Sequence, residues 1–231
     1  MPESVTLICL ANSRKKKGRC VAGMIAGSAR WIRPVSARPG HEISVEEQRY
    51  ADRSVPRVPD IMTVPLLRPH PISYQSENWL LAPDYRWHRI GTAGWSQLLT
   101  MEQRPDTLWI NGCSSFNRYN DRVPIAQAAT LPDSLKLIRV NRMTLKVHTP
   151  DTSHRDAKRA VDARFIHGGH TYIMRVTDPK YEQAYLSKPE RRYELGEAFL
   201  TVSLSEEYLG HAYKLVASII ERANITAGSK Q

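Results

Sequence analysis

Cysteine is scarce in this chain, and the three present, Cys9, Cys20 and Cys113, are odd in number and widely spaced. That excludes a disulfide framework and a zinc ligand set of the CxxC type, and it favours a reducing compartment. No run of about 18 apolar residues exists to cross a bilayer, and residues 1–10 lack the basic stretch and long apolar core of a signal peptide. A cytoplasmic location without a membrane partner is therefore expected. Acids are also in deficit: 23 Asp and Glu stand against 33 Lys and Arg, a formal charge of +10. Such an imbalance favours a polyanionic partner, nucleic acid first, and says nothing about fold.

What is present suffices for folding. Hydrophobic residues make up 41% of the 231, too many for a disordered tail, and the length suits two compact halves. Residues 5–10 read as a strand that ends at Ala11, Asn12 and Ser13 in a charged loop, Arg14, Lys15, Lys16, Lys17 and Arg19. Residues 20–25 and 29–35 follow as strands, with Trp31 and Arg33 on one side because strand side chains repeat every two residues. Ser44 and Glu47 have capping-box spacing and predict a short helix. Residues 60–66, bounded by Pro59 and Pro65, read as an edge strand, since proline lacks a donor. Trp79, Trp87 and Trp95 recur every eight residues without matching flanks, in an irregular segment packed over the first barrel, with a helical turn at 95–100. A short strand is expected at 107–112, and the polar, proline-bearing segment 117–132 marks the boundary, giving domains 1–130 and 131–231.

The second half patterns more clearly. Apolar residues alternate at Met143, Leu145 and Val147, at Val161, Ala163 and Phe165, and at Tyr172, Met174 and Val176, with Gly168-Gly169 as a two-residue hairpin turn. Asp178-Pro179 starts a short helix over 180–186. A strand is expected at 199–204, and 213–220 fits a strand or a helix, with strand preferred. Many short strands, glycine turns and one inserted helix predict a mainly β protein with short helices, built as two Greek-key barrels in tandem.

Several segments resemble the family called the dual OB-containing domain. They are Leu10-Ala11-Asn12-Ser13-Arg14-Lys15, Gly18-Arg19-Cys20-Val21-Ala22-Gly23, Trp31-Ile32-Arg33-Pro34-Val35-Ser36 and Gln75-Ser76-Glu77-Asn78-Trp79. Further on come Phe165 to Gly169 with Tyr172, Val176-Thr177-Asp178-Pro179, Ser203-Leu204 and Tyr213-Lys214-Leu215-Val216-Ala217. The resemblance spans nearly the whole chain and implies two successive OB folds, a nucleic-acid-binding role, and occurrence beside components of prokaryotic conflict and antiviral systems. It carries over no catalytic residue. The three successive lysines after Arg14 depart from the family pattern.

Candidate site residues follow from charge and aromaticity. Asn12, Ser13, Arg14, Lys15, Lys16, Lys17 and Arg19, with Trp31 and Arg33, combine phosphate neutralisation with a stacking face; the plainer reading is a solvated loop beside a core tryptophan. Asn12 and Ser13 either form an anion nest or close the turn. Gln75, Glu77 and Asn78 either contact bases or anions, or brace the segment around Trp79. Lys188, Arg191 and Arg192, with Tyr181, Tyr185 and Tyr193, form a second basic and aromatic patch, or tyrosines that cap the second barrel beneath solvated charges. His167 and His170 face each other across the glycine turn, with His148 and His154 earlier, yet no third ligand has metal spacing, so no metal or other cofactor is expected. Asp151, Ser153, His154 and Asp156 lie too close in sequence for a catalytic set. Cys20 beside Arg19 reads as a buried strand cysteine. The expected function is binding of single-stranded or structured DNA or RNA with modest sequence preference, without catalysis. The competing expectations are a nuclease or nucleotide-processing subunit with a site between the halves, and an adaptor for a partner protein of a defence system that uses the tryptophan-rich region as an apolar anchor.

Overall fold

The computed structural model of the protein describes residues 2–15, 18–150 and 158–228. It is mainly β and divides into two compact units, Met1–Glu102 with Pro132–Leu135, and Gln103–Leu131 with Lys136–Gln231. Lys16, Lys17, Asp151, Ser153, His154 and Asp156 lie outside the described residues.

In the first unit the strands are β1 (Glu3–Lys15), β2 (Gly18–Ile25), β3 (Trp31–Val35), β4 (Asp60–Pro69), β5 (Asn78–Leu81) and β6 (His88–Thr92), followed by helix α1 (Trp95–Leu99). The sheet runs β1-β2-β3-β5-β4 and closes into a barrel because β4 also pairs with β1. β3 and β5 are parallel and the other pairs are antiparallel. Leu7, Cys9, Val21, Ile32, Met62, Val64, Leu66 and Trp87 fill the interior. The apolar residues of β1 and β4 alternate into that interior, as period two requires.

Two local expectations give way here. The segment around Pro65 is interior, with β1 on one side and β5 and β6 on the other. Pro65 accepts from Ala82 N through its carbonyl, so its missing N–H faces the same side. There the β6 pairing ends at Thr63 and the β5 pairing begins at Leu66, and the lost donor falls in the gap. Ser44 and Glu47 do form the reciprocal bonds of a capping box, Glu47 N to Ser44 Oγ at 3.1 Å and Ser44 N to Glu47 Oε2 at 2.8 Å. They close a single turn, however, because Gln48 is buried and engaged by Asn12 and Tyr50 bridges to Trp87.

The second unit contains β7 (Arg122–Pro124), α2 (Ile125–Ala128), β8 (Leu135–Val140), β9 (Met143–His148), β10 (Ala160–His167), β11 (His170–Val176), α3 (Pro179–Leu186), β12 (Arg192–Leu195), β13 (Ala198–Tyr208), β14 (His211–Glu221) and α4 (Arg222–Gly228). Its sheet runs β12-β9-β10-β11-β14-β13-β8, with β7 on β14. Residues 196–197 join its end strand β12 directly to β13, so the sheet curls back on itself, again with one parallel pair, β11 with β14. Each alternating apolar triplet in β9, β10 and β11 points inward and is buried. Gly168 and Gly169 take positive φ and set His167 opposite His170. Asp178 caps α3, its Oδ1 accepting from Lys180 N at 2.9 Å and its Oδ2 from Ile219 N at 3.0 Å.

No strand forms at 107–112, because its backbone donors go to side chains: Leu108 N to Tyr172 Oη at 3.0 Å and Gly112 N to Asn120 Oδ1 at 2.8 Å. Nor is 117–132 a bare connection, since it holds β7 and α2 and buries Asn120, Asp121 and Val123. Among the described residues no helix is long and apolar enough to cross a membrane.

Candidate nucleic-acid interface

β1 and β2 continue as a ladder into the basic segment, so residues 11–15 and 18–19, expected as a loop, are strand instead. The register sets Ser13 opposite Cys20, Arg14 opposite Arg19 and Lys15 opposite Gly18. Arg14 is exposed, while Lys15 and Arg19 are half-buried. Arg19 exchanges backbone bonds with Ile43, at 2.8 and 3.0 Å. That approach leaves no room at residue 18 for a side chain, whose Cβ would sit 2.6 Å from Ile43 O. The start of β2 is thereby anchored against Ile43.

The other members of the first patch do not join it. Asn12 Nδ2 donates to Gln48 Oε1 at 3.0 Å and to Pro56 O at 2.8 Å, and Ser13 is buried. Both are bracing groups, not an anion nest. Trp31 is 7% exposed and Arg33 4%, so neither offers a stacking face or a phosphate contact. Arg33 Nη2 lies 3.0 Å from Glu77 Oε1 and donates to Ser134 Oγ at 2.9 Å, while Nη1 donates to Asn78 Oδ1 at 3.3 Å. Ser134 in turn donates to Glu77, and Asn78 Nδ2 donates to Gln75 Oε1. Gln75, Glu77 and Asn78 are buried with them. A buried guanidinium needs such partners, and this network lies on the outer face of β3 and closes it. Trp87 and Trp95 are buried as well, and Trp79, half-buried, carries the Arg30 guanidinium 5.2 Å over its ring. The tryptophans are core and are not an exposed anchor.

In the second unit Lys188, Arg191 and Arg192 are exposed and close together at the link from α3 to β12. Lys188 Nζ stands 3.9 Å over the Tyr185 ring and 5.2 Å over Tyr193, and Arg191 stands 4.8 Å over Tyr193. The tyrosines pack against the barrel core, and their faces are covered by these cations. Arg159 holds the link, its guanidinium donating to the carbonyls of Leu186 and Lys188. Tyr181 Oη donates to Glu221 Oε1 at 2.6 Å, and burial followed by that carboxylate pushes its phenol well above the ordinary range.

The strands next to this patch bring together residues that the sequence does not connect. Arg192 faces Lys146, Lys146 faces Asp162, and Asp162 faces Arg175, in one row across β12, β9, β10 and β11. Asp162 is 3% exposed; its Oδ1 accepts from Arg118 Nε at 3.1 Å and its Oδ2 lies 2.9 Å from His148 Nε2. Each residue lies one step from an inward-facing apolar neighbour, the one signal that marks them as outward. Register and the approach of Arg118 cannot be read from periodicity.

Two further groups matter. Lys214 is fully buried, donating to Ile110 O at 2.8 Å and Asn111 Oδ1 at 3.1 Å, and burial pulls its ammonium down to about 7, against the opposing effect of Asp121. His167 Nε2 engages Pro105 O at 2.8 Å. Among the described residues, no group of three or more His, Cys, Asp or Glu side chains is placed to hold a metal. Cys20 is half-buried in β2.

A family model described as the dual OB-containing domain matches residues 5–219. Comparison with the curated proteins gives no match. Among solved structures, the crystal structure of the tetrameric p202 HIN2 is similar over 95% of this chain and 93% of that one, with 7% identity and a TM-score of 0.31.

Proposed function

Because the chain belongs to the dual OB-containing domain family, we propose that it binds single-stranded or structured nucleic acid through cationic loops on its barrels, as an accessory component of a prokaryotic antiviral or conflict system. OB folds bind oligonucleotides with the face of their second and third strands and with the loops joining strands one to two and four to five. The observation that carries the reading is the end of the β1–β2 ladder, where the register gathers Arg14, Lys15 and Arg19. The net charge of +10 supplies the long-range attraction, and such contacts carry little base preference.

The test is a fluorescence-anisotropy titration with labelled single-stranded DNA, single-stranded RNA and duplex at two salt concentrations. Affinity falls steeply with salt, with a log–log slope of about 0.7 per phosphate neutralised on a single strand. Absence of binding, or binding indifferent to salt, overturns the reading. Size-exclusion with the products of neighbouring genes tests the partner from a defence system.

A further inference from the structure

The two barrels differ in what covers their outer faces. In the first, the outer side of β3 is covered by Arg33, Glu77, Asn78 and Ser134, all buried. In the second, the outer side of β12, β9 and β10 exposes Arg192, Lys146 and Arg164. These three share a side because their sequence neighbours Tyr193, Leu145, Val147, Ala163 and Phe165 all pack on the core.

Of the acids here, Asp162 is ion-paired, Glu190 lies beside Arg159, and Glu194 is hydrogen-bonded by a hydroxyl. Asp162 is bonded to Arg118 and His148, Glu194 accepts from Thr144 Oγ1 at 2.8 Å, and Glu190 accepts from Thr149 Oγ1 at 2.6 Å with Arg159 at 3.5 Å. Among the described residues Lys146, Arg164 and Arg192 have no acid partner, although Arg192 and Lys146 lie directly opposite each other. Arg118 uses Nε for Asp162, leaving both Nη groups as donors, and the same carboxylate holds His148 through Nε2. A buried carboxylate that fixes an arginine at the edge of a strip in which three cations face one free acid is a preorganised anion site.

We infer that successive backbone phosphates of a single nucleic-acid strand lie across the outer face of β12, β9 and β10, gripped by Arg192, Lys146 and Arg164 with Arg118 and His148 at its edge. This rests on the nucleic-acid reading above and places the main contact on the second barrel. Across three adjacent strands, spaced about 4.8 Å apart, the strip is roughly 10 Å wide, enough for more than one phosphate. Base stacking plays a lesser part there, since Lys188 and Arg191 already cover the nearby tyrosine rings.

The experiment compares the full chain with the double variants Lys146→Glu/Arg192→Glu and Lys146→Gln/Arg192→Gln. The probe is a fluorescein-labelled single-stranded DNA of about 20 nucleotides, long enough to cross the strip. Both substituted side chains are exposed, and circular dichroism and the thermal midpoint establish that each variant is folded. The expected result is at least a tenfold loss of affinity for the glutamate variant. For the glutamine variant, the salt slope should be shallower by about 1.4, two phosphates at 0.7 each. Folded variants that bind like the unsubstituted chain overturn this inference and leave the nucleic-acid reading intact. If the unsubstituted chain binds no nucleic acid at low salt, both fall.

Discussion

Arg33→Ala should unfold much of the first barrel's stability while leaving the nucleic-acid affinity of the folded protein unchanged. The Arg33 and Glu77 side chains are 5% and 4% exposed and 3.0 Å apart, with Asn78 and Ser134 accepting from Nη1 and Nη2. Truncation leaves the Glu77 carboxylate buried with only the Ser134 and Ser76 hydroxyls as donors. Breaking a buried pair in this way costs about 3–5 kcal/mol, against a total stability of about 5–15 kcal/mol for a domain. Removing both charges costs less than the sum, because replacing a buried pair by apolar groups of similar volume is often nearly neutral. Urea unfolding followed by tryptophan fluorescence reads this well, since Trp31, Trp79, Trp87 and Trp95 of the five tryptophans lie in the first unit. Arg33→Met, Glu77→Met and the double variant Arg33→Met/Glu77→Met complete a cycle, and a favourable coupling above about 1 kcal/mol is expected for groups sharing one network. A cost for Arg33→Ala below about 1 kcal/mol, or a loss of nucleic-acid binding in a variant as stable as the original, would refute the reasoning.

Lys214 gives a pH dependence. Its ammonium titrates near 7 in the folded chain against 10.5 unfolded, so between those values the unfolded chain holds the extra proton and stability rises with pH, by at most about 1.4 kcal/mol per unit. Urea midpoints of the second unit should climb from pH 7 towards 10, and Lys214→Met should flatten the climb; a midpoint independent of pH in the unsubstituted chain contradicts it. Gly168 has φ of +55° and a Cβ there would meet Asp106 O at 1.9 Å, whereas Gly169 has φ of +76° and open space. Thermal melts should therefore show Gly168→Ala costing at least about 2 kcal/mol more than Gly169→Ala, and equal shifts would be the contrary result.

The second barrel was largely legible because its strands alternate over five to seven residues and its turns carry glycine or an Asp-Pro cap, all local signals. The first was legible in its strands but not in its faces. Period two correctly puts Trp31 and Arg33 on one side of β3, yet it cannot say that this side is roofed by Asn78, Glu77 and a serine 101 positions away from Arg33. A tryptophan beside an arginine therefore read as a binding pair when it was core and counter-ion. The Ser44–Glu47 box formed its bonds without a helix, because tertiary demands on Gln48 and Tyr50 outweighed propensity. Lys146 and Arg192 were invisible as a pair for the same reason that Asp162 was invisible as their neighbour. Only the register of three strands joins them.

The position of Ser134 also orders events during synthesis. A chain made from its N-terminus completes every strand of the first barrel by residue 92, yet the hydroxyl that bridges Arg33 to Glu77 is added only after the stretch 103–131, which packs with the other unit, has been translated. The nascent barrel thus waits on the ribosome with its keystone missing, and a fragment cut at residue 130 would stay in that unfinished state permanently.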